Sequence, residues 1–189
     1  MKHLTKIVLV LLFGFVLLNT SAQQKDYSNE PGYVDFGDLS GLDDGEAVTE
    51  VFIEENLLKM VAKLAKNEEP QISELINGLK LIKVNTYEIT DNNEKMILKK
   101  MEDINKKLEG KKWQRIVRRR AKDENAYVYV KADGSDKFIG LVVLAMDRPG
   151  EAAFVNIVGD IDLETIGKLT DKFDIPALGK VKEKDDDKK

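Results

Sequence analysis

The sequence predicts an α+β domain, a mainly antiparallel sheet closing in a C-terminal four-stranded meander, with helices packed on one face. Three observations predict it. Four strand-like runs, 113–120, 126–131, 138–146 and 153–158, succeed one another across turns of only a few residues. Connections that short force antiparallel neighbours. Segments with helical periodicity stand upstream of and between the strands, and their apolar stripes need a sheet to cover. Finally, Leu141-Val142-Val143-Leu144 is apolar at every position, so that strand belongs in the middle of the sheet.

Residues 1–22 read as a cleavable export signal: a short positive start with Lys2 and Lys6, an apolar run from Ile7 to Leu18, and small residues at Ser21-Ala22. Twelve residues at a 1.5 Å rise span about 18 Å, too short for a ~30 Å hydrocarbon core. No cysteine lies near the cleavage point, so a lipoprotein anchor is not expected. Residues 23–32 are polar and read as a flexible leader, 33–176 as a single domain, and 177–189 as a charged, disordered tail.

Within the domain, Tyr33 to Leu39 alternates apolar and acidic residues, as a short strand or an ordered turn. Residues 47–53 form a first strand with Val48, Glu50 and Phe52 on one face. Leu57, Val61 and Leu64 mark a helix. Pro70 suits the first turn of a second helix, striped by Ile72, Leu75, Ile76 and Leu79. Residues 81–89 are β-branched and aromatic. Asp91 and Glu94 have capping-box spacing and open the clearest helix, with Ile97, Met101, Ile104 and Leu108 at 3.6 periodicity and Gly110 at its end. Asp162 is placed to cap a last helix carrying Leu163, Ile166, Leu169 and Phe173.

Composition removes whole classes of chemistry. The chain has no cysteine, and its one histidine, His3, lies in the export signal. Beyond residue 22 the chain therefore offers no Ser-His-Asp triad, no Cys-His pair, no His/Cys zinc site and no iron–sulfur cluster. That portion carries 28 Lys and Arg against 34 Asp and Glu, a net charge of −6, which disfavours nucleic acid as a partner. None of Ser28, Ser40, Ser73 and Ser135 lies in a nucleophile motif, and no glycine-rich phosphate loop is present. No cofactor and no metal is expected. The acidic stretch Asp35, Asp38, Asp43, Asp44 and Glu46 lacks the spacing of a calcium loop, and Asp160 with Asp162 reads as turn and helix cap.

One segment inverts the overall charge. Seven of the twelve residues from Lys111 to Lys122 are basic, and four of the five arginines lie there. On a regular strand Trp113, Arg115, Val117 and Arg119 would share one face, with Gln114, Ile116, Arg118 and Arg120 on the other. Guanidinium forks grip carboxylates and phosphates, so Lys112, Arg115, Arg118, Arg119 and Arg120 form a candidate anion-binding strip. Trp113, Tyr127 and Tyr129 are its candidate stacking partners. The plainer reading is a solvated strand whose cations pair with the domain's own acids and guard a sheet edge.

The export signal, Tyr33-Val34-Asp35-Phe36-Gly37-Asp38-Leu39, the strand leading into Leu57-Leu58-Lys59, Leu79 to Val84, the Trp113 strand with Arg118, and Phe154 to Asp162 together resemble a known family. It is the secreted bacterial family called domain of unknown function 4252 (DUF4252), common in the Bacteroidota. The resemblance implies an exported α+β domain, places no catalytic residue, and suggests an envelope-stress setting. The expectation is an exported, periplasmic or extracellular, non-enzymatic module that binds or scaffolds an envelope protein or an anionic envelope component. The alternatives are an envelope-stress sensor acting with a membrane partner, and a small hydrolase using carboxylates alone, which needs two acids about 5 to 10 Å apart in a cleft.

Overall fold

The computed structural model describes residues 25–134 and 137–161, without the side chains at positions 71 and 72. The segment read as an export signal, the helix expected from Asp162, the segment read as a tail and Ser135 lie outside the described residues. Six strands form one antiparallel sheet: β1 (Val48–Glu54), β2 (Leu79–Glu88), β3 (Gln114–Arg120), β4 (Glu124–Ala132), β5 (Phe138–Asp147) and β6 (Glu151–Ile161). Their spatial order is β1-β2-β6-β5-β4-β3. The last four strands are thus the expected meander, and β5 is interior. Three α-helices, α1 (Glu55–Ala65), α2 (Pro70–Asn77) and α3 (Glu94–Glu109), and a short 3-10 turn at Ser40–Leu42 accompany the sheet among the described residues.

The α+β class and the antiparallel sheet stand, but the helices do not share one face. Alternate residues of β4 and β5 feed two separate cores. Val128, Val130, Leu141 and Val143 pack with Leu58 and Ala62 of α1 and Ile76 of α2. Tyr127, Tyr129, Val142 and Leu144 pack on the opposite side with Ile97, Met101, Ile104 and Leu108 of α3. The physical reason is legible in β5 itself. A strand apolar at consecutive positions leaves apolar surface on both faces, and each needs a cover. The four α3 residues are essentially fully buried, and such burial stabilises by roughly 1.5–3 kcal/mol per side chain.

Residues 25–43 lie along the α3 face of the sheet as an ordered strap, although 23–32 read as a flexible leader. Tyr27, Val34, Phe36, Leu39 and Leu42 are buried. Two buried asparagines hold the strap. Asn156 accepts from Val34 N (2.8 Å) and donates to Gly32 O (3.0 Å) and Leu141 O (3.2 Å). Asn93 donates to Leu42 O (3.1 Å) and Glu88 O (2.8 Å), while its Oδ1 accepts from Thr90 N. Two lysines of α3 fix the middle: Lys107 donates to Asp35 O and Lys100 to Asp38 O. The strap crosses β5 where both chains are glycine. A Cβ on Gly140 would stand 2.7 Å from both Gly32 Cα and the Trp113 ring.

The capping box expected at Asp91 does not form. The N-cap of α3 is Asn93, whose side chain is occupied by the loop and the strap, and Glu94 pairs with Arg148 instead.

Candidate functional site

The basic strip lies on β3, at one edge of the sheet, and a β-bulge divides it. Arg115 pairs with Tyr129 but Val117 pairs with Val128, so Ile116 is the extra residue. The bulge reverses the alternation beyond it. Arg115, Arg118 and Arg120 fall on the α3 face with Tyr129 and Tyr127, while Val117 and Arg119 fall on the other. The expected grouping of Arg115 with Arg119, and of Arg118 with Ile116, is therefore corrected by one inserted residue.

Most of these cations are already used. Arg115 bonds Glu109, Asn105 (3.3 Å) and the Tyr129 hydroxyl (3.4 Å). Arg119 pairs with Glu124. Arg120 donates from Nε to the Tyr127 hydroxyl at 2.9 Å. The stacking candidates are interior: Trp113, Tyr127 and Tyr129 all belong to the α3-side core. Their rings are met by the chain's own cations, Lys131 at 5.7 Å, Arg120 at 5.8 Å and Arg115 at 6.0 Å. Burial pushes the Tyr129 phenol up, against the downward pull of Arg115. Of the strip, Lys112, which adopts a left-handed backbone conformation, and Arg118 make no ion pair or hydrogen bond among the described residues.

The acids of the strap are likewise employed. Asp26, Asp35, Asp38 and Asp43 each accept the backbone N–H two residues on, from Ser28, Gly37, Ser40 and Gly45, at 2.7–2.9 Å. These are Asx turns, which let a polar segment hold its shape without a ladder. Hydrogen bonding from Ser28 and from Ser40 holds the Asp26 and Asp38 carboxyls below their ordinary range.

The opposite edge of the sheet carries the feature that spacing did not reveal. Between the strap and the β1–β2 ribbon lies a cleft of about 1090 Å³. Its floor is three cross-strand pairs on the α3 face: Val48 with Tyr87, Glu50 with Asn85, and Phe52 with Lys83. Lys25, Tyr27, Asp38 and Asp43 line its walls. The cleft is polarised along the strands. Asp38, Asp43 and Glu50 act together on Tyr87, whose phenol is pushed up first by burial and then by these three carboxylates. At the other end, the Lys83 ammonium sits 5.6 Å from the Phe36 ring centre and makes no ion pair among the described residues. Phe52 is partly exposed and meets Tyr27 edge-on at 6.2 Å.

Asn85 lies between the two ends. It is 5% exposed, and its Nδ2 donates to Glu50 at 2.9 Å. Its Oδ1 is buried with no hydrogen-bond partner among the described residues. The Glu50 contact fixes the amide's orientation, because a carboxylate needs the donor end. Among the described residues no group of three or more His, Cys, Asp or Glu is arranged to hold a metal. No described helix is long and apolar enough to cross a membrane.

A six-stranded antiparallel sheet with a helix or helices on each face, an N-terminal strap and an edge cleft defines the architecture. The chain belongs to the family described as domain of unknown function DUF4252, whose model matches residues 42–169, about two-thirds of the sequence. No curated protein and no solved structure matches it.

Proposed function

We propose that this protein is an exported, non-enzymatic binding module of the bacterial envelope, and that the cleft at the β1 edge is its ligand site. The export signal at residues 1–22 and the absence of cysteine and of any later histidine support the first part. The cleft supports the second. It is the observation that carries the reading: a concavity of small-ligand size or more, with aromatic walls and a few convergent polar groups on its floor.

Its chemistry favours holding a ligand over converting one. A carboxylate acid needs its pKa raised toward the working pH. The Asp26, Asp38, Glu55 and Asp103 carboxyls are each moved downward instead. Asp38 and Asp43 are committed to Asx turns and Glu50 to Asn85.

The test is thermal unfolding of the purified chain in the presence of small-molecule extracts of its host's envelope. A component of the extract should raise Tm saturably, and Phe52→Ala should abolish the rise. The component should be recovered unchanged. Its conversion over many turnovers would establish a carboxylate hydrolase instead, and a rise unaffected by Phe52→Ala would move the site elsewhere.

A further inference from the structure

Two unmet demands sit side by side on β2. The Asn85 carbonyl oxygen lacks a donor, and Lys83, two residues away on the same face, lacks an anion among the described residues. A buried acceptor without a partner is uncommon in a folded protein and calls for an explanation. Each demand defines half of a ligand. The Asn85 amide is bonded to the Glu50 carboxylate through Nδ2, and the open amide oxygen and that carboxylate each suit a charged N–H donor such as an ammonium. Lys83 suits a carboxylate. A plain anion would be repelled by Asp38, Asp43 and Glu50 at the acidic end, and a plain cation would leave Lys83 unsatisfied.

We propose that the cleft binds a small zwitterion, a short peptide with free ends, its ammonium at Glu50 and Asn85 and its carboxylate at Lys83. This rests on the reading of the cleft as a ligand site. The spacing agrees with it. The Glu50–Asn85 and Phe52–Lys83 pairs are two residues apart, about 7 Å along the strands. An extended dipeptide reaches about 7 Å. The cleft volume exceeds what a single ion or free amino acid would fill. Phe52 and Tyr27 stand at the Lys83 end, where they offer an apolar wall to the peptide's own side chain. The Asn85 oxygen is shielded as the cleft stands, so contact with the ammonium would require the Asn85 side chain to turn. That turn would give dipeptide binding a measurable signature at positions 50 and 85.

The experiment uses dialanine, N-acetyl-dialanine and dialanine amide as probes, titrated into the purified full chain and followed by calorimetry and by the backbone amide resonances of residues 48–54 and 83–87. Dialanine should bind saturably. Acetylation and amidation should each weaken it roughly tenfold, the scale of one lost charge-assisted contact. Lys83→Met should bring dialanine down to the affinity of its amide and leave the amide unchanged. Asn85→Leu should weaken both, and if that variant does not fold, the Lys83→Met comparison decides alone. Equal binding of the three probes, or no saturable binding by dialanine, overturns the proposal. If dialanine fails while an envelope component still raises Tm in a Phe52-dependent way, the zwitterion falls and the cleft remains a binding site. If neither acts, both fall.

Discussion

The two edges of the sheet contrast in how their polar groups are satisfied. At the β3 edge a dense run of cations attracts notice in the sequence, yet Arg115, Arg119 and Arg120 are bonded to Glu109, Glu124 and Tyr127 of the same chain. At the β1 edge nothing in the sequence draws the eye, yet Asn85 and Lys83 carry groups that the described residues leave unanswered. Charge density records what a segment contains, whereas a binding site is marked by what its neighbours fail to supply. Lys112 and Arg118 at the β3 edge are also left unbonded among the described residues, and what sets the β1 edge apart is the buried Asn85 oxygen and the cleft beside it.

The sharpest way to break this contrast is to remove what holds the cleft's wall. Asn156 is fully buried and makes three hydrogen bonds, two of them to the strap. Asn156→Leu would strand Val34 N–H, Gly32 O and Leu141 O, each orphaned buried group costing about 1–3 kcal/mol. A loss of about 3 kcal/mol or more is expected in urea unfolding, with the strap released and its amides exchanging faster. Gly140→Ala should cost about 1–3 kcal/mol by overpacking against Gly32 and Trp113. A substitution at Gly140 that left both stability and the strap intact would show that the cleft wall does not depend on this crossing.

The same strap shows where sequence reasoning ends. The strands are legible because alternation and turn residues are local, and β5 declares itself interior by being apolar at consecutive positions. The strap is not. Residues 25–32 are polar, and their order depends on Asn156, more than 120 positions away. The facing of the arginines escapes the sequence for a similar reason. A bulge adds one residue without changing composition, and a shift of one residue exchanges faces. Asn85 has no signal at all, since an unsatisfied oxygen is a property of the residues around it.

Acid separates the edges further. Near the β1 edge, Lys59 and Lys25 hold the Glu55 carboxyl down to about 2 from an ordinary 4.5. A depressed pKa contributes stability that is complete above about 4.5 and is lost as pH falls toward 2. Because the pair is partly solvated, we expect about 1 kcal/mol rather than the full electrostatic figure. Glu55→Gln should flatten that part of the stability profile between pH 4.5 and 2. An unchanged profile in the variant would show that the Lys25–Glu55 contact, which ties the start of the strap to α1, contributes nothing.

Asn85→Leu tests the cleft from the stability side. An orphaned buried oxygen is a cost the fold bears, so replacing the amide with an apolar side chain of similar size should leave stability unchanged or raise it by up to about 1 kcal/mol. A loss of about 2 kcal/mol or more would mean that the amide's bond to Glu50 is structural and would weaken the case for a ligand there.

The smallest effect belongs to the residue whose type and setting most suggest a function. Arg118 is exposed and unbonded among the described residues, so Arg118→Ala should change stability by no more than about 0.5 kcal/mol. Arg119→Ala, which gives up the Glu124 pair, should cost at most about 1 kcal/mol. If the β3 edge is an edge guard, both variants should bind anionic vesicles as weakly as the parent chain at low salt, and any change should appear as self-association, because cations removed from an unpaired strand expose its ladder to another copy. Salt-sensitive vesicle retention by the parent, lost in Arg118→Ala, would instead make the basic edge a binding surface and reverse the contrast between the two sides of the sheet.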